Sequence, residues 1–293
     1  MKRGDLFYHI VAFLTVAVWG TTFISTKVLI LNGLSPAQIF TVRFAMAYLL
    51  LLAIDHRNVL SRSWKDELTF VALGITGGSL YFLSENEALR YTNATNVSII
   101  VCSCPLFAAL LVGAFYRSER LRRMGILGSL IALLGMAIVV LNGRFVLHLS
   151  PVGDALAFVS CLSWALYSLL MKPVDTRYSA KFITRKVFFY GLLTIVPYFI
   201  LKPEELNFPI EAMKTPVVWG NLLYLGCIAS MVCFLVWTVV MKQLGAVRAT
   251  NWVYFNPITT MIAAWIVLKE QITPFFILGS LLIISGVIVA SKK

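Results

Sequence analysis

Apolar runs separated by short polar breaks cover almost the whole chain. Ten such runs stand out, at 9–31, 36–54, 67–88, 94–116, 123–142, 150–171, 184–201, 216–240, 247–268 and 273–290. Most are about 20 residues long, enough for a helix to cross a hydrocarbon core of ~30 Å. Several boundaries carry helix signals. Ser35-Pro36, Ser150-Pro151 and Thr273-Pro274 each place a capping hydroxyl before a first-turn proline, and Asn142-Gly143 closes the fifth run. The pattern predicts an all-α integral membrane protein of ten transmembrane helices.

The two halves of that pattern repeat. Trp19 and Lys27 recur as Trp164 and Lys172, and Pro105, Glu119, Gly128 and Gly135 recur as Pro257, Glu270, Gly279 and Gly286. Leu127-Gly-Ser-Leu-Ile reads again as Leu278-Gly-Ser-Leu-Leu. These spacings predict two five-helix units, 1–145 and 146–293. An odd number of spans turns the second unit over in the membrane, giving two inverted five-helix repeats, an arrangement from which many transporters are built.

Composition agrees with the spans. Of 293 residues, 59% are hydrophobic and 13% charged, against about 25% charged in a soluble domain. No stretch has the composition of a linker. The net charge of +12 would suggest nucleic acid in a soluble protein. Here eighteen of the 25 Lys and Arg fall in alternate loops, on the side that holds both termini. That bias predicts cytoplasmic termini in a multi-pass protein of the plasma (inner) membrane, and it accounts for the charge with no nucleic-acid partner. The first apolar run is too long for a cleaved signal peptide.

Candidate chemistry sits inside the spans. Pro105 and Pro257 fall mid-helix on helices four and nine, where each frees the carbonyl one turn back, Val101 and Val253. Matched helix breaks near the midplane favour a transport site, although packing kinks are common. Beside Pro257, Asn251 and Tyr254 share one face, and Trp252 and Asn256 another. Asn96, Ser98 and Ser103 lie at comparable depth on helix four. Trp19 and Trp164 stand too deep for the interfacial aromatic belt, which leaves core packing or the wall of a central cavity. Arg43, Lys27, Glu85, Glu87 and Arg90 place five ionisable groups in the outer half of the membrane, to be paired or functional. Glu85 lies deepest, one turn after Tyr81, and is the candidate for proton coupling. Its repeat partner is Trp237. Glu119 and Glu270 are expected to tie turns. The glycine pairs 128/135 and 279/286 form close-packing faces, within the subunit or between two copies, leaving monomer or homodimer open.

Cys102, Cys104, Cys161, Cys227 and Cys233 lie in apolar runs and read as small packed side chains, with no metal site. His9, His56 and His148 lie near span ends or in loops. No phosphate-binding loop, HExxH or nucleophile elbow is present, so no cofactor and no enzymatic site is expected.

Trp19-Gly20 followed by Lys27, Arg43, Ala88-Leu89-Arg90-Tyr91 with Ala94, Pro105, Glu119-Arg120 and Gly128/Gly135 resemble the EamA-type branch of the drug/metabolite transporter superfamily. The second half carries much of the same through Trp164, Lys172, Pro257, Glu270 and Gly279/Gly286. The resemblance covers essentially the whole chain. It implies ten helices in two inverted repeats, and export or import of amino acids, related metabolites or small toxic compounds. It also implies a central cavity lined by helices one, three, four, six, eight and nine.

These readings converge on secondary transport of a small metabolite across the bilayer by alternating access. The expected substrate-binding residues are Trp19, Tyr81, Glu85, Trp164, Trp237, Asn251, Tyr254 and Asn256, with Pro105 and Pro257 as hinges. A nucleotide-sugar or sugar-phosphate exchanger would want a basic cavity, and Lys172 and Arg185 lie too near the inner surface to form one. A membrane-embedded enzyme or lipid-handling scaffold would want acids, histidines or cysteines clustered at one depth.

Overall fold

The capping hydroxyls set the helix starts. Ser35 Oγ accepts from Gln38 N at 3.2 Å while Gln38 Oε1 accepts from Ser35 N at 2.9 Å, a reciprocal capping box. Ser150, Ser179 and Thr273 accept from the amides of Gly153, Phe182 and Phe276 at 3.3, 3.2 and 3.3 Å. A computed structural model of the chain describes residues 3–56, 59–91, 97, 100–120, 123–141, 150–268 and 273–291. Asn142-Gly143, Asn96, Ser98, His148, Glu270 and the side chains of Lys27, Arg90 and Glu119 lie outside the described residues.

The described residues form ten helical rods and no strand. They are α1 (Arg3–Leu31), α2 (Pro36–Ile54), α3 (64–91), α4 (Cys104–Phe115) and α5 (Arg123–Leu141) in the first half. The second half has α6 (Pro151–Asp175), α7 (Ala180–Leu201), α8 (Pro216–Leu244), α9 (246–268) and α10 (Pro274–Ser291). Six helical runs, in α1, α2, α3, α6, α7 and α8, are long and apolar enough to cross a membrane uninterrupted. The other four are shorter or broken. Ile100 and Val101 are helical, and α4 resumes at Cys104 after a turn in which Ser103 N bonds to Ile100 O at 3.1 Å. In α9 a 3-10 segment, Asn251–Phe255, precedes the helix that starts at Asn256. At both prolines the expected kink is a local break in the α-helical ladder just ahead of the residue, a turn at Cys102-Ser103 and a 3-10 segment at Asn251–Phe255.

The repeat is visible in how helices pair. α1 packs on α9 and α8, while α6 packs on α4 and α3; α2 packs on α8, while α7 packs on α3. Exchanging the first five helices with the last five returns the same set of neighbours. α5 and α10 pair with each other, and glycine is what lets them meet. A Cβ on Gly128 would stand 2.3 Å from Ala290 N and 2.5 Å from Gly286 O, and one on Gly135 2.6 Å from Gly279 O. The glycine faces thus close within the subunit, which answers one of the two readings left open by the sequence.

The outside of the bundle is apolar. Leu31, Leu49, Phe115, Leu134, Leu201 and Leu281 are all exposed. Rods that are hydrophobic on both faces belong in lipid, and the chain is an all-α membrane protein.

Candidate functional site

Four aromatic side chains from four helices meet at the centre. Trp19 of α1 lies 6.0 Å from Trp164 of α6 and 5.1 Å from Trp237 of α8, ring centre to ring centre. Tyr81 of α3 lies 5.3 Å from Trp164. Trp19 Nε1 donates to the Ala229 carbonyl at 2.9 Å. The indole N–H groups of Trp164 and Trp237 are buried with no partner among the described residues. A buried donor without an acceptor is costly. Trp237 is wholly buried; it packs the floor of this cluster rather than lining an open wall.

Ala229 belongs to a feature that sequence reasoning did not find. α3 widens into a π-helical turn at Ile75–Ser79, and α8 does so at Tyr224–Val232. The two turns occupy equivalent places in the repeats. Such widened turns occur often at functional sites, because the i→i+5 ladder leaves backbone groups able to bond elsewhere. Gly77-Gly78 was the available signal. A Cβ on Gly77 would stand 2.3 Å from the Tyr167 ring, so only glycine admits α6 at this distance.

The intramembrane charges separate into two groups. Glu85 is buried, accepts from Tyr81 Oη at 3.2 Å and faces Arg43 of α2. Arg43, also buried, donates from Nε to Ser230 Oγ in the α8 π turn at 2.9 Å. Glu87 instead joins the end of the bundle. It accepts from Tyr198 Oη at 2.8 Å and lies 3.5 Å from Lys202 Nζ. Neither Tyr198 nor Lys202 was anticipated as its partner.

The α9 residues do not all join the tryptophans. Asn251 is buried, and its Oδ1 has no partner among the described residues. Tyr254 is three residues on in a 3-10 turn, where i and i+3 eclipse. It packs with Cys102, Met136 and Ile283, toward α5 and α10. Asn256 is half-buried, with Oδ1 unpartnered among the described residues and its carbonyl accepting from Thr260 Oγ1 at 2.9 Å. Trp252 turns the other way and donates to His9 Nδ1 at 3.0 Å. Ser103 Oγ, in the turn ahead of α4, lies 3.5 Å from Cys161 Sγ of α6.

One end of the bundle is tied by charge. Asp66 of α3 pairs with Arg177 Nη1 at 2.6 Å and accepts from Tyr178 Oη at 2.7 Å. Its neighbour Glu67 meets Lys186 Nζ, Tyr190 Oη and Ser61 Oγ. Lys242 of α8 donates to the Tyr178 carbonyl. Burial and the bond to Asp66 hold the Tyr178 phenol above its ordinary value. This is the end richest in Lys and Arg, and here it is called the basic end.

A family model for EamA-like transporters matches residues 6–141 and 151–292, one match for each half. The chain belongs to the EamA-like transporter family. It is similar over 97% of its length to an "Uncharacterized transporter" of Archaeoglobus fulgidus, 27% identical and 97% covered. It is also similar to a "Probable amino-acid metabolite efflux pump" of Escherichia coli, 23% identical, over 98% of this chain and 94% of that one. A "Probable terminal-alkyne amino-acid exporter" of Streptantibioticus cattleyicolor is 25% identical over 96% of this chain and 92% of its own. A solved structure titled "Crystal structure of protein" superposes with a TM-score of 0.78 at 18% identity, covering 97% of this chain and 96% of that one. It shares the fold. This EamA-like protein is a membrane transporter.

Proposed function

We propose that this EamA-like transporter exports amino acids or related small compounds by alternating access, driven by a proton gradient through Glu85. The observation that carries the reading is the central cluster. Two indole N–H groups unpartnered among the described residues, the Tyr81–Glu85 pair and Arg43 converge between matched local helix breaks and matched π turns. The names of the relatives support the substrate class and the direction. Two inverted repeats, 1–145 and 146–293, would open the site to each side in turn by rocking about α5 and α10. The basic end would face the cytoplasm, with both termini.

Export of a labelled amino acid from proteoliposomes with an imposed pH gradient tests it. Trp19→Ala is expected to abolish transport, and Glu85→Gln to remove its dependence on the gradient. Unchanged transport in Trp19→Ala sinks the site; proton dependence surviving in Glu85→Gln removes that residue from coupling. Accessibility of single introduced cysteines from either face tests the orientation.

A further inference from the structure

The two repeats differ most where three side chains meet. The capping serines align α2 with α7, Ser35 on Ser179, which sets Arg43 against Val187. Glycines align α3 with α8. A Cβ on Gly226 would meet Met46 of α2, and one on Gly74 would meet Tyr190 of α7, the residue equivalent to Met46. That register sets Ser230 against Gly78 and Glu85 against Trp237. Arg43, Ser230 and Glu85 therefore stand where the other repeat has Val, Gly and Trp. Every polar member of the trio is an addition to the symmetric plan, and all three share one place.

Arg43 is anchored but not saturated. It is 5% exposed, with Nε on Ser230 Oγ and its guanidinium carbon 4.8 Å from the centre of the Phe82 ring. Its Nη nitrogens take no hydrogen bond among the described residues. Unlike Nη1 of Arg185, they are not sealed from solvent. Glu85 is the acid whose charge reaches Arg43, yet it accepts only from Tyr81 and forms no ion-pair contact with the guanidinium among the described residues. A purely structural pair in a membrane interior would close this gap, because charges there are held by direct contact. The outer edge of a guanidinium presents parallel N–H groups that match a planar oxyanion. Across the gap, a carboxylate suits an ammonium.

We infer that Arg43 is the specificity-determining residue of the transport site, taking the substrate's carboxylate on its Nη groups. Ser230 holds the fork from behind, and Glu85 faces the substrate's cationic group. This rests on the transport reading above and adds to it the residue that demands an anionic group. Because Ser230 lies in the π turn of α8, carboxylate binding is also tied to that turn.

The test is ligand-induced thermal stabilisation of the purified full chain by phenylalanine and by phenylalaninamide, which keeps the ammonium and the ring but lacks the carboxylate. The wild type is expected to prefer phenylalanine by at least about tenfold, the scale of one lost charge-assisted hydrogen bond. Arg43→Gln should lose the preference by weakening phenylalanine, while binding the amide no more weakly than the wild type. Ser230→Ala should weaken phenylalanine alone. If Arg43→Gln does not fold, Arg43→Lys decides, since an ammonium keeps the charge without the fork; its preference should shrink. A parallel loss of both ligands in Arg43→Gln, or an undiminished preference in Arg43→Lys, overturns the inference and leaves the site standing. If the wild type binds neither ligand, the amino-acid reading falls, and this inference with it.

Discussion

Lys186→Met removes a cation from a carboxylate at the basic end. The Lys186 side chain is 5% exposed and that of Glu67 23%. Breaking a fully buried pair by deleting one member costs ~3–5 kcal/mol, because the other charge is left uncompensated. Glu67 is partly wet, and it keeps donors from Tyr190 Oη and from the hydroxyl and amide of Ser61. Those features bring the expected loss down to about 2 kcal/mol, or roughly a thirtyfold shift in any equilibrium that opens this end. Two measurements follow. The thermal midpoint in detergent should fall in Lys186→Met and recover in Glu67→Leu/Lys186→Met, where neither charge of the pair remains. A cysteine at Thr184, 1% exposed and two residues before Lys186 on α7, should label faster in the single variant by about tenfold or more. A single variant as stable as wild type, a double variant no better than the single, or unchanged labelling would refute the reasoning.

Gly135→Leu should cost about 3 kcal/mol or more and block assembly of α5 on α10, because its Cβ would meet backbone atoms, Gly279 O at 2.6 Å and Ile283 N at 2.7 Å. Gly220→Ala, with nothing within 4 Å of the new Cβ, should instead stabilise by ~0.5–1 kcal/mol; thermal unfolding of both separates contact from composition. Trp19→Phe keeps the ring packing and removes the N–H that caps Ala229 O in the α8 π turn. It should cost about 1–2 kcal/mol and slow transport without abolishing it, read by thermal midpoint and initial rate. Tyr178 has its ionisation pushed upward in the fold, so the neutral phenol is what the fold favours. Its contribution is intact below the unfolded value near 10 and is lost as pH rises through the folded value. Tyr178→Phe should flatten the alkaline fall in stability, seen as a smaller change in midpoint above about pH 10.

Much of the fold was legible because lipid imposes a simple rule: every span satisfies its own backbone and is about as long as the bilayer is thick. The caps at Ser35, Ser150 and Thr273 formed where the sequence placed them. The doubled Trp, Pro and Gly positions marked the repeat because those residue types alone supply a wide ring, a missing N–H or a missing Cβ. The π turns were not legible, since one extra residue per turn leaves an apolar run looking the same. Partners across helices were hidden too. Glu87 was weighed against Lys27, Arg43 and Arg90, neighbours in chain or depth, while Tyr198 and Lys202 approach it from α7. Trp237 was named for the site on the strength of its place opposite Glu85 in the repeat, with no partner assigned to it. The structure then placed it against Trp19 and Trp164.

The same register that isolates Arg43 also compares the two ends. At the basic end Asp66, Tyr178 and Lys186 tie α3, the turn after α6 and α7 together through ion pairs and a hydrogen bond. Their repeat equivalents at the other end are Val218, Leu34 and Val42, which pack in one apolar cluster of α1, α2 and α8. Contacts of these two kinds answer differently to conditions. Apolar closure scales with buried area and is indifferent to pH and to moderate salt. Ionic closure weakens wherever its carboxylates protonate or salt screens its exposed member, here Arg177 at 44% exposure. The other end also holds the Glu87–Lys202 pair beside its apolar cluster, but the basic end joins Asp66 to Arg177 and Glu67 to Lys186, so its opening should show the stronger salt- and acid-dependence. Exchanging the basic end for its repeat counterpart, Asp66→Val/Glu67→Trp/Tyr178→Leu/Lys186→Val, should remove that dependence while leaving the aromatic cluster untouched. Single-sided cysteine labelling as a function of ionic strength measures it. Labelling at the basic end that stays equally salt-dependent in the exchanged protein would place the sensitivity elsewhere and break the link between gate chemistry and the broken symmetry.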